Sequence, residues 1–417
     1  MDPYAMTTGV LRNPDFRRLL SSHVANELGA NISRVTLPLI AVLVLHAGPA
    51  ELGLMAALQT TAFLLVGLPA GVWVDRMRKR RVMMATDLAR CLLLASIPLA
   101  WQFGLLSITM MYVVALLVGV AQVFNDVADQ TYLPNLVSTD LLSDGNAKLE
   151  VVRSGGFMTG PGIGGALVQL VGAANAILAP ALGALASVLL LGSIKVPDRQ
   201  PDPAKRTPLL RGIKEGFAYA WRDRLMRAFL LSSGGANLAV AGVLALSVLF
   251  LAEVVKLPPG TIGVLLMSGG IGGILGGVTG AWLTRRFGTA RATWVAVTVS
   301  SPFALLLPMT QADWRMVCFA ITSIALSWGA VMSNIGQSTY RQSSVPEHML
   351  GRVNATVRFV SWGTMPLGAL MSGLLAQQIG VREALWVFLS FRVLAFLPLV
   401  FSPLPRMRDF FPAQASS

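Results

Sequence analysis

Charge is scarce in this chain. Asp, Glu, Lys and Arg make up 13% of the residues and hydrophobic types 54%, whereas a soluble domain carries about 25% charged residues. So little charge cannot coat a soluble fold, and the bilayer is the solvent that suits the composition. Cysteine is nearly absent. Cys91 and Cys318 both lie in apolar runs, which excludes a disulfide framework and leaves two buried thiols. The histidines, His23, His46 and His348, fall at span ends or in loops and read as solvated. HExxH, paired CxxC and hydrolase-elbow patterns are missing, so the residues indicate no metal site, no enzyme nucleophile and no cofactor. A cleavable signal pattern is missing too. The first apolar run is long and follows Arg17 and Arg18, so it reads as a membrane span.

What the chain does have is long apolar runs. At roughly 20 residues per span, hydropathy predicts twelve transmembrane helices, from 19–45 to 382–402. The fifth and sixth (155–172 and 174–194) are joined by a short turn near Gly172. With both termini cytoplasmic, only Lys256, Arg315 and Arg382 of the 33 basic residues fall outside, and only Arg34, Arg90 and Arg392 fall within spans. That asymmetry follows the positive-inside rule. The net charge of +13 is therefore topogenic and suits anionic lipid headgroups rather than nucleic acid.

The hydrophilic stretch after the sixth span divides the chain. Residues 1–195 form one predicted six-helix bundle, 196–227 a cytoplasmic linker, and 228–417 a second six-helix bundle. The linker opens with Pro197, Pro201, Pro203 and Pro208, which favour an extended segment. It then places Leu210, Ile213, Phe217, Ala220 and Trp221 on one helical face. That face suits either the membrane surface or packing beneath the bundles.

The halves repeat each other. Val152-Arg153, followed by Pro161 in the fifth span, is matched by Val357-Arg358 followed by Pro366 in the eleventh. Gln130–Pro134 is matched by Gln342–Pro346. Paired homologous bundles around a central site are a common transporter plan.

Two motifs carry more. After the second span stands Gly71-Val72-Trp73-Val74-Asp75-Arg76-Met77-Arg78-Lys79-Arg80, and the fifth span reads Gly156-Phe157-Met158-Thr159-Gly160-Pro161-Gly162-Ile163-Gly164-Gly165. The glycines permit close helix approach, and Pro161 removes a backbone donor. The first stretch resembles the loop 2–3 signature of the major facilitator superfamily, with Arg78 at its second glycine. The second resembles that superfamily's antiporter motif at every specified position. Phe16–Leu20, Gly145–Glu150, Gly351–Thr356 and Trp362–Ala369 extend the likeness to the drug:proton antiporter branch that includes macrolide and siderophore exporters. It covers about residues 12 to 403. The fourth span departs from the pattern, since it carries no arginine. The resemblance implies an inner gate at Gly71, Asp75, Arg76 and Arg80, and an antiporter helix at Gly156, Gly160, Pro161, Gly164 and Gly165. Gly269, Gly272, Gly273, Gly276, Gly277 and Gly280 in the eighth span read as helix packing rather than a phosphate loop.

Charges inside spans are costly and mark pathways. Glu27, Asn31 and Arg34 share one face of the first span. Asn125, Asp126 and Asp129 cluster in the fourth, and the family fold lines its cavity with these two spans. The expectation is that Glu27 and one of Asp126 or Asp129 exchange proton for substrate, with Arg34 as counter-charge. A fixed Glu27–Arg34 ion pair is the alternative. Asp87 and Arg90 in the third span read as a structural pair. Asn31, Asn125, Asn237, Asn334, Trp362 and Met365 are the candidate cavity residues, a set suited to broad, apolar and aromatic substrates.

The reading is an all-α integral membrane transporter of the inner (plasma) membrane, not an enzyme. It would act as a monomer and export hydrophobic, cationic small molecules in exchange for protons. Export of an anionic metabolite such as a siderophore, lysolipid flipping, and a non-transporting scaffold or receptor are the competing readings.

Overall fold

Proline or a polar cap starts several helices of this protein, and positive-φ glycines mark four of the breaks between them. The computed structural model describes residues 9–197 and 209–410. The first half contains α1 (Pro14–Leu43), α2 (Pro49–Asp75), α3 (Lys79–Gln102), α4 (Ile108–Tyr132), α5 (Leu142–Val171) and α6 (Leu178–Gly192). After α7 (Leu209–Arg222) come α8 (Arg224–Leu249), α9 (Pro259–Phe287), α10 (Thr289–Ser300), α11 (Met316–Ser344), α12 (Glu347–Gly363), α13 (Met365–Ile379) and α14 (Val381–Leu394). Among the described residues there is no strand.

The caps follow from sequence. Asn13 accepts from the backbone N–H of Asp15 and Phe16, with Pro14 opening α1. Ser107 caps α4 through Met110, and Asp223 caps α8 through Met226. Each satisfies a donor that the first helical turn leaves open. Gly172, with φ 83°, ends α5, and Gly380, with φ 100°, holds the matching place before α14. A residue with a side chain is strained at such φ values, so both halves use glycine for the same break. The repeated prolines diverge. Pro161 lies inside the continuous α5, while Pro366 falls in the first turn of α13, where the eleventh span is interrupted at Thr364.

Ten helical stretches among the described residues are long and apolar enough to cross a membrane. Helices α1 and α5 are not among them, although each is 30 residues long. Both carry polar and charged residues that lower their mean hydropathy. Helix α5 also starts at Leu142, well before the expected 155, because the polar segment in between is helical.

Two compact units emerge. One comprises residues 1–47, 58–205 and 258–267, the other 48–57, 206–257 and 268–417. The first turns of α2 and α9 are thus each packed into the unit that does not contain the rest of the helix. Glycine explains both. A Cβ on Gly53 would stand 2.7 Å from the Ala369 carbonyl oxygen, and one on Gly263 would stand 2.6 Å from that of Pro161. Within the second unit, Gly272 meets the Ile324 backbone and Gly276 meets Val331, the packing role expected of the α9 glycines.

Helix α7 is seated rather than free. Ala220 is buried, Tyr219 Oη donates to the Ser344 carbonyl at 3.1 Å, Glu215 pairs with Arg352, and Gly216 faces the Arg352 backbone. Phe217 and Trp221 stay exposed and stack at 5.4 Å. Packing beneath the second unit is therefore the arrangement adopted. The side chains of Leu210 and Ile213, and Pro201, Pro203 and Pro208, lie outside the described residues.

Candidate functional site

The antiporter-motif glycines form the surface on which the first-span acid rests. Three of them would place a Cβ against α1. Gly156 would come within 3.1 Å of Glu27 Cβ, Gly160 within 2.4 Å of Asn31 Cβ, and Gly164 within 3.2 Å of the Ile32 carbonyl. Gly165 meets the Pro259 carbonyl and Gly263, and Pro161 is buried. Three glycines at helical spacing therefore fix the height of α5 against α1, as small residues do between membrane helices.

Glu27 is held loosely at this seam, with its side chain 22% exposed. Asn31 donates to the Glu27 carbonyl at 2.8 Å and to Oε2 at 3.4 Å. Oε1 lies 3.8 Å from Arg153 Nε and 3.9 Å from His23 Nε2. The cation beside Glu27 is thus Arg153 from α5, not Arg34. Arg34 is exposed, sits 5.9 Å from the Phe157 ring centroid, and acts on Glu27 and Asp126 only through the longer-range field.

Asp126 is exposed and accepts from Gln122 at 2.7 Å. Asp129 is mostly buried, with Oδ2 3.6 Å from His23 Nδ1. His23 is 6% exposed, which corrects its reading as a solvated span-end residue: one helical turn before Glu27, α4 covers it. The spacing of His23, Glu27 and Asn31 at four-residue intervals was the available signal. Arg153 was visible only as part of the repeat.

A second polar cluster lies deeper, between α1, α3, α4 and α6. Asp87, fully buried, accepts from Asn125 at 2.9 Å and from Ser187 at 2.6 Å, and lies 3.5 Å from Arg90. Asn125 also donates to Thr86 at 3.0 Å and accepts from Asn26 at 3.2 Å, and Arg90 donates to Asn26. The Asp87–Arg90 pair is therefore part of a network spanning four helices. Asn125 belongs to it, and Asn31 belongs to the seam with α5; each is 2% exposed.

At the loop motif, Arg80 donates to the carbonyls of Ile194 and Gly192, at 2.6 and 2.8 Å, and so closes the end of α6. Lys79 donates to the Thr131 carbonyl at 3.2 Å, and Arg76 is exposed. Gly71 has open space where a Cβ would be. The Asp75 side chain lies outside the described residues. In the second unit, Asn237 donates to the Ser233 carbonyl, Asn334 is exposed, Trp362 lies under Arg358 at 5.1 Å, and Met365 opens α13. No group of three His, Cys, Asp or Glu that could hold a metal ion exists among the described residues.

A multi-pass bundle of apolar helices, with carboxylates held among α1, α3 and α4, is the build of a membrane transporter rather than an enzyme. The chain belongs to the Major Facilitator Superfamily, whose profile matches residues 19–366. It is 29% identical over 388 residues to the multidrug efflux pump Tap of Mycolicibacterium fortuitum, covering 87% of this chain and 90% of that protein. It is 24% identical over 345 residues to macrolide efflux protein A of Streptococcus pyogenes, covering 81% and 83%. Its fold is similar to that of a bacterial homologue of the iron transporter ferroportin in an inward-facing state (TM-score 0.73, 17% identity, 94% and 99% covered). It is also similar to that of the nucleoside transporter NupG (TM-score 0.72, 16% identity, 93% and 98% covered).

Proposed function

We propose that this protein exports hydrophobic, cationic drugs or natural products in exchange for protons. It would do so as a monomer with twelve spans and cytoplasmic termini, in the inner (plasma) membrane. The observation that carries the reading is the gathering of Glu27, Asp126 and Asp129 in one unit, with Glu27 resting on Gly156. The fields of Glu27 and Asp129 both reach Asp126, so the three carboxylates form one electrostatic set. With the set ionised, a cation is attracted; a proton arriving from the acidic side neutralises the site and releases it. The gate at Gly71, Asp75, Arg76 and Arg80 and the seam at Gly156, Gly160, Pro161, Gly164 and Gly165 are the proposed moving parts. Asn237, Asn334, Trp362 and Met365 are the proposed substrate-facing residues of the second unit, while Asn31 and Asn125, each 2% exposed, serve by holding Glu27 and the polar cluster in place. Two efflux proteins among the relatives agree with the direction of transport.

The test is purified protein in liposomes with an acidic lumen and ethidium outside. Accumulation of ethidium that collapses with the pH gradient supports antiport, and accumulation indifferent to pH contradicts it. A second reading, export of an anion, is favoured by Arg34, a cation exposed over Phe157. Competition of ethidium transport by anionic rather than cationic amphiphiles selects that reading.

A further inference from the structure

His23 is the buried titratable group that this scheme leaves unused. Its two ring nitrogens face carboxylates on two different helices, Nδ1 toward Asp129 Oδ2 at 3.6 Å and Nε2 toward Glu27 Oε1 at 3.9 Å. Neither contact is a formed hydrogen bond. Nε2 and Asp129 Oδ1 are both buried without a hydrogen-bond partner among the described residues. Unsatisfied buried polar atoms are rare and costly, and here two of them flank one imidazole–carboxylate contact. Beyond Asp129 lies a cleft of about 410 Å³ at the α4–α5 junction, also lined by Gln130, Asn146, Glu150 and Arg153. Titratable atoms therefore run from Glu27 through an imidazole to a solvent-accessible space. The charged groups facing His23 are Glu27 on α1, Asp87 on α3, Asp129 on α4 and Arg153 on α5. The ring thus meets two carboxylates, while Asp87 and Arg153 act through the longer-range field.

We propose that His23 is a proton relay between Glu27 and the Asp129 cleft, giving the proton a route separate from that of the substrate. The inference rests on proton coupling at Glu27. The Glu27 Oε1–H bond breaks as Nε2–H forms; Nδ1–H then breaks as a bond to Asp129 Oδ2 forms. Glu27 is left as carboxylate, and Asp129 passes its proton to water in the cleft. Ring rotation and exchange with that water then break Nε2–H as Nδ1–H forms, so the starting tautomer is restored and one proton has passed from Glu27 to the cleft. Each transfer needs approach to about 2.6–3.2 Å, within reach of a small rotation of the partly exposed Glu27 side chain.

The test uses the full chain in liposomes with ethidium, run in two modes: uptake driven by an acidic lumen, and ethidium exchange at equal pH. His23→Gln keeps polarity and size but carries no proton. It slows driven uptake at least about tenfold, while exchange changes by less than about twofold. Asp129→Asn likewise slows driven uptake. Wild-type protein without pH-driven uptake overturns the coupling reading and the relay with it. Coupled wild type with both variants still coupled overturns the relay alone. Loss of exchange in His23→Gln also overturns it, because the imidazole would then be holding substrate or fold.

Discussion

Gly160 of α5 lies against Asn31 of α1 so closely that a Cβ at Gly160 would stand 2.4 Å from Asn31 Cβ. Asn31 in turn bonds to Glu27, so the antiporter motif and the proposed coupling acid are one piece of structure. Gly160→Ala would force the helices apart, and overpacking of this kind costs about 1–3 kcal/mol. A lower melting temperature in detergent and slower transport are expected. Gly155→Ala, on the same helix with open space at its Cβ, is the control and leaves both nearly unchanged.

Arg80 ties the third span to the end of the sixth through two carbonyl oxygens. Carbonyls at a helix C-terminus lack partners within the helix, and a charged donor satisfies them. Arg80→Ala is expected to lower stability by about 1–3 kcal/mol, read as a fall in melting temperature. Arg81→Ala, at an exposed position, has little effect. Arg80 therefore has a structural duty besides any role in gating.

Asp15 precedes the first span and gives a pH-dependent clamp. Burial pulls its carboxyl upward. The backbone N–H of Lys195, the Arg18 side chain and the Val196 N–H outweigh that and hold it below its ordinary 3.8. A carboxyl held low in the folded state stabilises above its unfolded value and loses that contribution as pH falls through the folded value. Asp15→Asn should therefore lower the melting temperature at pH 7, with the difference shrinking below about pH 4. A difference unchanged by pH would count against the clamp.

Much of this was legible in the chain. Long apolar runs located ten membrane-length helices, Gly172 the break that ends α5, and the glycine series in α9 a packing face. Hydropathy is a property of one helix, however, and the remaining features belong to pairs. Arg34 shares a helical face with Glu27, which pointed to an ion pair. The glycines of α5 instead bring Arg153 to that carboxylate. His23 looked solvated because nothing along α1 shows that α4 covers it. The first turns of α2 and α9 pack away from the rest of their helices, through Gly53 and Gly263, and no local pattern marks such an exchange. Helices α1 and α5 fall short of a purely apolar span because they carry polar residues such as His23, Asn26, Glu27 and Arg153, whose partners on other helices are invisible to a window average.

The most direct test of Glu27 as the proton-bearing acid is proton release on substrate binding. Purified protein in weakly buffered detergent is mixed with ethidium, and a pH indicator reports protons. The account predicts release on binding to the wild type and its loss in Glu27→Gln, with binding itself retained at higher pH. Equal release from the two proteins, or none from the wild type while ethidium binds, would contradict it.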